Sequence, residues 1–431
     1  MKAQFLLRQL CKKMNLVSCK YFLITLFMLM QTNMIFAQWQ TIYKDSAQFQ
    51  FNTVFFLNND TGFVGGYDFT NNTNGIMLRT FDGGQNWDTT QLYELILCVY
   101  FVNDTFGFCG GDGGANYMTT DLGDNWQQRG FSSTMSDHSS IYFTSPSLGY
   151  RSTMQSWIQK TIDSGNTWQN VFNSFGGSYF PGTSKIVFPD TQVGYLAQSR
   201  FGQVKSITKT SDGGNTWSDL SIPANLFPYS CYFFDTTSGI AVGRYGGVSR
   251  TSDGGLTWTG PDSISNYTLY DIAFVNDSVG YIVGGFNQYD NSSPRKGIIF
   301  KTFDGGINWS VIDSSYSDGL TKLHFPSDSV GYAVGYNGII LKISNANSVS
   351  TSISFLNESG RFKIFPNPAN TEITISSLKA ADVVIYDLTG KVFLYMSITN
   401  RMFSSTMNIS HLSPGIYFVS NGIEVVKFIK E

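Results

Sequence analysis

Six times between Thr80 and Trp309 the chain repeats one eight-residue pattern, Thr-x-Asp-x-Gly-x-(Asn/Thr)-Trp. The copies are TFDGGQNW from Thr80, TTDLGDNW from Thr119, TIDSGNTW from Thr161, TSDGGNTW from Thr210, TSDGGLTW from Thr251 and TFDGGINW from Thr302. Their aspartates, Asp82, Asp121, Asp163, Asp212, Asp253 and Asp304, are separated by 39, 42, 49, 41 and 51 residues. A period of this length holds one unit of about four short strands, which cannot bury its own apolar face and must stack on its neighbours. The residue types suit a reversing turn: Asp caps backbone amides and Gly tolerates positive φ. The closing tryptophans, Trp87, Trp126, Trp168, Trp217, Trp258 and Trp309, supply an apolar plate between sheets.

Ahead of each turn stands a second signature, an alternating strand, a polar turn, then Gly and another apolar strand. It occurs seven times: FLNNDTGFVGG from Phe56, FVNDTFGFCGG from Phe101, FTSPSLGY from Phe143, FPDTQVGYLA from Phe188, FFDTTSGIAVG from Phe233, FVNDSVGYIVG from Phe274 and FPSDSVGYAVG from Phe325. Seven hairpins against six turns leave the last unit, ending at Ser344, without an outer strand. Residues Trp39 to Tyr43 read as a strand that follows such a turn, so pairing them onto the last unit predicts a closed ring with no free edge. The expected fold is all-β, a seven-bladed β-propeller over residues 38–344. Aromatics at 16% with 43 Gly and only 11 Pro agree with strands and tight turns.

The six turns resemble the Asp box, or BNR repeat. The region 38–345 resembles the photosystem II assembly and stability factor family of seven-bladed propellers, whose repeats read like FVNDSVGYIVG followed by TFDGGINW. That resemblance implies a fold and not an activity. The basic groove it also implies has counterparts here only in Arg200 and Arg244.

Several function classes are disfavoured by composition. With 28 basic and 31 acidic residues the chain has no basic field to match nucleic-acid phosphates. Each box offers one carboxylate, whereas a hard cation takes about six to eight oxygens, so no metal and no cofactor is expected. His138 and His324 have no partner at zinc-ligand spacing. Asp boxes also occur in glycosidases, which need a pair of carboxylates or a Tyr backed by a Glu. Glu94 is the only Glu between Gln38 and Ser344, and no arginine cluster accompanies it. A non-catalytic propeller is the reading, with an extracellular carbohydrate-active hydrolase as its alternative. Loops between the second and third strands of the blades are the expected recognition surface for a glycan or protein, with Tyr67, Trp157, Arg200, Arg244, Tyr245, Arg295 and Tyr336 as candidate ligand-binding residues.

Residues 1–37 read as a signal peptide, basic at first and apolar from Tyr21 to Met30, with Ala37 at the cleavage position and a retained membrane anchor as the alternative. No transmembrane segment is expected after it. Cys98, Cys109 and Cys231 are read as buried thiols, since Cys98 and Cys109 do not fall opposite each other on their hairpin. A Ser- and Asn-rich linker, 345–360, leads to residues 361–431, where alternating strands and Gly turns predict a small C-terminal β-sandwich. Pro366, Asn367 and Pro368, the turn containing Gly390, the segment with Gly415 and Tyr417, and the closing Lys427 to Lys430 resemble the type IX secretion system C-terminal sorting domain. That resemblance implies the type IX secretion machinery as a partner, and export to the outer-membrane surface or the medium.

Overall fold

The structure is a computed structural model, and it describes residues 38–44, 49–70, 74–129, 137–173, 184–199, 205–285, 296–347, 362–365, 368–377, 381–387, 391–398, 404–420 and 425–431. The expected signal peptide, Arg200, Arg295, Pro366, Asn367 and Gly390 lie outside the described residues. The chain divides into two compact units, Met1–Val349 and Ser350–Glu431.

The first unit contains seven four-stranded antiparallel sheets. In six of them the strands follow chain order, each sheet being one blade that runs from its hairpin through its box to an outer strand. The seventh sheet takes its outer strand from the beginning of the chain. Gln40–Lys44 pairs antiparallel with Ile339–Ser344, Gln40 opposite Lys342 and Lys44 opposite Ile339. The ring is therefore closed by the N-terminal strand, as the repeat count predicts.

The turns explain the sequence pattern residue by residue. In the fourth blade Thr210 Oγ1 accepts from Gly214 N (2.9 Å) and donates to Asp212 Oδ1 (2.9 Å). Asp212 Oδ1 also accepts from Thr216 N (2.9 Å), and Thr216 Oγ1 donates to Oδ2 (2.6 Å). Both residues after the aspartate adopt positive φ, 64° at Gly213 and 69° at Gly214. Leu122 and Ser164 hold the first of these positions at φ 58° in their own boxes, a conformation that suits glycine better.

Packing between blades repeats as well. In the six blades that carry a box, the hairpin Phe meets the box Trp edge-on, as Phe233 does Trp258 at 6.2 Å and 87°. Several also stack on an aromatic ring of the preceding blade, as Phe233 does on Tyr195. A Cβ at Gly239 would lie 2.5 Å from the Phe233 ring, so the glycine of the hairpin signature makes room for that ring. The seventh blade has no box Trp, and Trp39, 4% exposed, takes the place: it meets Phe325 edge-on at 6.2 Å.

In every blade but the second, the basic residue just before the box threonine, or Lys342 at the same place in the boxless blade, ties the blade to the next. Lys160 Nζ donates to Gly213 O (2.9 Å), Lys209 Nζ to Gly254 O (2.9 Å), Arg250 Nε to Gly306 O (2.7 Å) and Lys342 Nζ to Gly83 O (2.8 Å). At the boxless blade the acceptor is Ala346 O, reached by Lys301 Nζ (3.0 Å) and Tyr281 Oη (2.6 Å). Ala346 is fully buried, and its N–H bonds Ser329 O at 2.8 Å. The propeller thus runs past the expected limit at Ser344, because Asn345 and Ala346 complete a turn where a box would stand. Met118 occupies the basic position in the second blade, so that junction has no such cation.

The second unit packs a three-stranded sheet, with Glu372–Ser377 central, against a four-stranded sheet containing Ala381–Asp387, Gly415–Ser420 and Val425–Lys430. Ile373, Ile375 and Met407 of one sheet and Val383, Ile385, Val419 and Phe428 of the other form a shared core. Tyr417 stacks on Phe428 at 5.6 Å and donates to Ser413 O (2.9 Å). Gly415 pairs with Lys430, and Lys427 with Phe418. Beside the exposed Pro368, Ala369 N bonds Ile429 O at 2.8 Å, so this segment is zipped to the closing strand.

Candidate functional site

The first strands of the seven blades stand side by side around the ring axis and enclose a cavity of about 450 Å³. Side chains alternate along a strand, so each of these strands turns two residues inward, three and one positions before its hairpin Phe, and all of them but Ser230 line the cavity. The first set is Thr53, Cys98, Ser140, Lys185, Ser230, Asp271 and Lys322, and the second is Phe55, Tyr100, Tyr142, Val187, Tyr232, Ala273 and His324. A polar layer and a mostly aromatic layer therefore stack along the axis, about 7 Å apart. A register shift follows the same strand position in six blades, for example between Leu269 and Asp271, which turns the next residue into the ring.

Asp271 is the centre of the polar layer. Its Oδ1 accepts from Lys185 Nζ (2.7 Å), Ser230 Oγ (2.7 Å) and Ile272 N (3.0 Å), and its Oδ2 from Leu323 N (3.1 Å). Burial pushes this carboxyl up, but the ammonium groups of Lys185 and Lys322 and the hydrogen bonds outweigh it and hold it below the usual range. Burial pulls the Lys322 ammonium down, with Asp271 acting against that and Lys185 with it. His324 Nδ1 accepts from Phe56 N (3.2 Å), which leaves the ring proton on Nε2, and burial with Lys185 nearby lowers its pKa to about 4. Cys98 Sγ lies 3.6 Å from His138 O, and burial pushes the thiol up to about 12. It is a packing residue and not a nucleophile at neutral pH. Cys98, Cys109 and Cys231 are all free and buried, with Cys98 opposite Gly110 and Val99 opposite Cys109.

The sequence carries a signal for this site outside the box and hairpin signatures. At the position three before the hairpin Phe, charge enters only at Lys185, Asp271 and Lys322, where other copies carry Thr, Cys or Ser. The alternation marks these positions as inward, and a charge pointing into a ring is informative.

The loop residues expected to bind a ligand are spread over the opposite side of the blades from the boxes. Tyr67 ends the second strand of its blade and meets the exposed Phe69 edge-on at 4.9 Å. Trp157 begins a third strand opposite Asn173 and is half-buried. Arg244 is buried, its guanidinium over the rings of Phe227 and Tyr245, so it packs within its own blade while Tyr245, 56% exposed at φ 56°, faces solvent. Tyr336 is half-buried and its N–H bonds Gly319 O at 3.0 Å. Apart from Arg244 and Tyr245, which touch, these described residues belong to different blades.

All six box aspartates direct both carboxylate oxygens into their own turns, and among the described residues no group of three or more His, Cys, Asp or Glu is placed to hold a metal ion. Glu94 lies beside Asp112, and burial followed by that neighbouring charge raises its pKa. No helix among the described residues is long and apolar enough to cross a membrane.

Residues 363–430 match the family model of the secretion system C-terminal sorting domain. No curated protein matches the chain. In fold it is similar to YCF48 bound to a D1 peptide, with 18% identity over 72% of this chain and 96% of that one and a TM-score of 0.54. It is similar to YCF48 from Cyanidioschyzon merolae, with 19% identity over 72% of this chain and 99% of that one and a TM-score of 0.54. A catalytically inactive virginiamycin B lyase from Staphylococcus aureus with quinupristin covers 71% of this chain and 99% of its own at 11% identity and a TM-score of 0.54. Such identities establish the propeller fold and no activity. The sorting domain marks the chain for export to the cell surface or the extracellular space. The chain is a seven-bladed β-propeller that carries, over residues 363–430, a member of the type IX secretion system C-terminal sorting family.

Proposed function

We propose that the propeller is a non-catalytic binding module, which a signal peptide in residues 1–37 and the sorting domain together deliver to the outer-membrane surface or the medium. The observation that carries this reading is the commitment of its carboxylates. The box aspartates cap turns, Asp271 is saturated by four donors, and Glu94 is the one glutamate of the propeller. Glycoside hydrolysis needs two carboxyl groups placed across one scissile bond. Exposed aromatics such as Phe69 and Tyr245 on the face away from the boxes are the kind of side chain that meets a glycan or a protein. A peptide is also in keeping with the fold, since the YCF48 structure holds one.

The hydrolase alternative would rest on Glu94 and Asp112, where burial first and then the Asp112 charge raise the Glu94 pKa. Incubating the purified chain with glycan and peptide arrays and, separately, with a panel of aryl glycosides distinguishes the two. Saturable binding with no turnover is expected. Turnover that Glu94→Gln abolishes would replace this reading with the hydrolase.

A further inference from the structure

Among the described residues, the channel lysine Lys322 lies near Asp271 but makes no hydrogen bond or ion pair with it. Of the three charged residues in the polar layer, Lys185 and Asp271 form an ion pair of 2.7 Å, and Lys185 Nζ also donates to Ile272 O at 2.8 Å. Asp271 has accepted from four donors and has little capacity left. Lys322 has no hydrogen-bond acceptor among the described residues. It lines the cavity and is partly exposed although it lies inside the ring, so its accessible part faces the channel. The polar layer thus sets two lysines against one aspartate, and His324 in the next layer is neutral. An unmatched ammonium away from bulk water is costly, and one negative charge beside it removes that cost.

The surroundings say more about the ligand than its charge. Ser140 Oγ accepts from Ile186 N (3.1 Å), which leaves its own proton to donate. His324, with its proton on Nε2, lines the same cavity. Apart from His324, the next layer along the axis presents mostly apolar ring surface. Tyr100 and Tyr142 have their hydroxyls tied to Phe143 O (3.1 Å) and Phe188 O (3.3 Å), so these side chains offer ring surface, and Phe55 and Tyr232 add to it. A volume of about 450 Å³ lies in the range of small-molecule sites.

We propose that the central channel binds a small organic carboxylate, its carboxylate against Lys322 and its apolar body against the ring of Phe55, Tyr100, Tyr142 and Tyr232. This rests on the binding-module reading and names a ligand class for it. Neither phosphate nor a halide makes use of the aromatic layer.

The test is calorimetric titration of the full chain at pH 7 and fixed ionic strength with benzoate, acetate, chloride and inorganic phosphate. Benzoate is expected to bind saturably, about tenfold more tightly than acetate, as burial of its ring predicts. Lys322→Met should weaken both carboxylates by more than about tenfold, and Tyr232→Leu should weaken benzoate while leaving acetate unchanged. If Lys322→Met does not fold, Lys322→Gln serves, and the order of the four probes on the unaltered chain is decisive by itself. No carboxylate binding, binding insensitive to Lys322, or phosphate or chloride binding as tightly as benzoate would each overturn the assignment. A chain that binds array ligands but not benzoate loses the channel site alone, whereas glycosidic turnover removes the binding-module reading.

Discussion

Asp82, Asp121, Asp212 and Asp253 sit where the N–H and side chain of the residue four positions on converge with the box threonine, and these bonds hold each carboxyl at about 2. The ordinary value is 3.8, so the folded state favours the ionised form, and its contribution is present above pH 3.8 and lost as pH falls toward 2. His138 and His324 act in the same direction at higher pH. Burial depresses them from 6.5 to about 3 and about 4, so protonation below pH 6.5 favours the unfolded chain. The Tm measured by calorimetry should fall continuously from pH 7 to pH 2, and a flat profile between pH 7 and 3 would contradict this account. A second residue-scale expectation concerns Ser164, which holds φ 58° where four of the boxes use glycine. Ser164→Gly should raise stability by up to about 1 kcal/mol in denaturant melts, and a loss of more than that would show that its side chain has a role the strain does not reveal.

Among the elements, the strand Gln40–Lys44 has the greatest consequence for its size. It supplies the fourth strand of the last blade, and Trp39 just before it fills the position of the missing box tryptophan against Phe325 and Tyr281. Trp39→Ala should cost about 3 to 5 kcal/mol, the usual range for an excised buried indole. Deleting residues 39–43 should cost more, since it also exposes the edge of Ile339–Ser344. Thermal unfolding unchanged by the deletion would mean that the ring does not depend on this closure. The expectation of a strand here came from unequal counts of hairpins and boxes. The seam between the second and third blades, by contrast, could not be anticipated, because the basic residues before the box threonines look scattered until the ring places each beside the next blade.

For the whole molecule, the end of the propeller and the start of the tail are separate questions. Ala346 accepts from Tyr281 and Lys301, so a chain cut after Ser344 leaves both donors without their acceptor, while a chain cut after Val349 keeps it. The shorter product should melt several degrees below the longer one. Equal melting would mean that Ala346 contributes nothing to closure. The sorting domain is expected to act as an address alone. In the native secretion background, the chain ending at Val349 should remain in the periplasm, and fusing residues 350–431 to a periplasmic reporter should carry that reporter outside. Tail-free protein reaching the surface at the normal level would refute this.

Local chemistry was legible in the sequence because it repeats: the Asp–Thr–Gly turns and the hairpins follow from residues close together in the chain, and the blade number and the closing strand follow from counting them. The sorting tail was legible for a related reason, since Gly415, Tyr417, Lys427 and Lys430 stand at fixed places along its last two strands. The polar layer of the channel was decided only by closure of the ring. Lys185, Asp271 and Lys322 lie on three different blades, as much as 137 positions apart in the chain. Each read alone is one polar residue in an alternating strand. Only when the sheets close around a common axis do two of them pair and the third remain without a partner, since that outcome depends on distances between blades that no local pattern encodes.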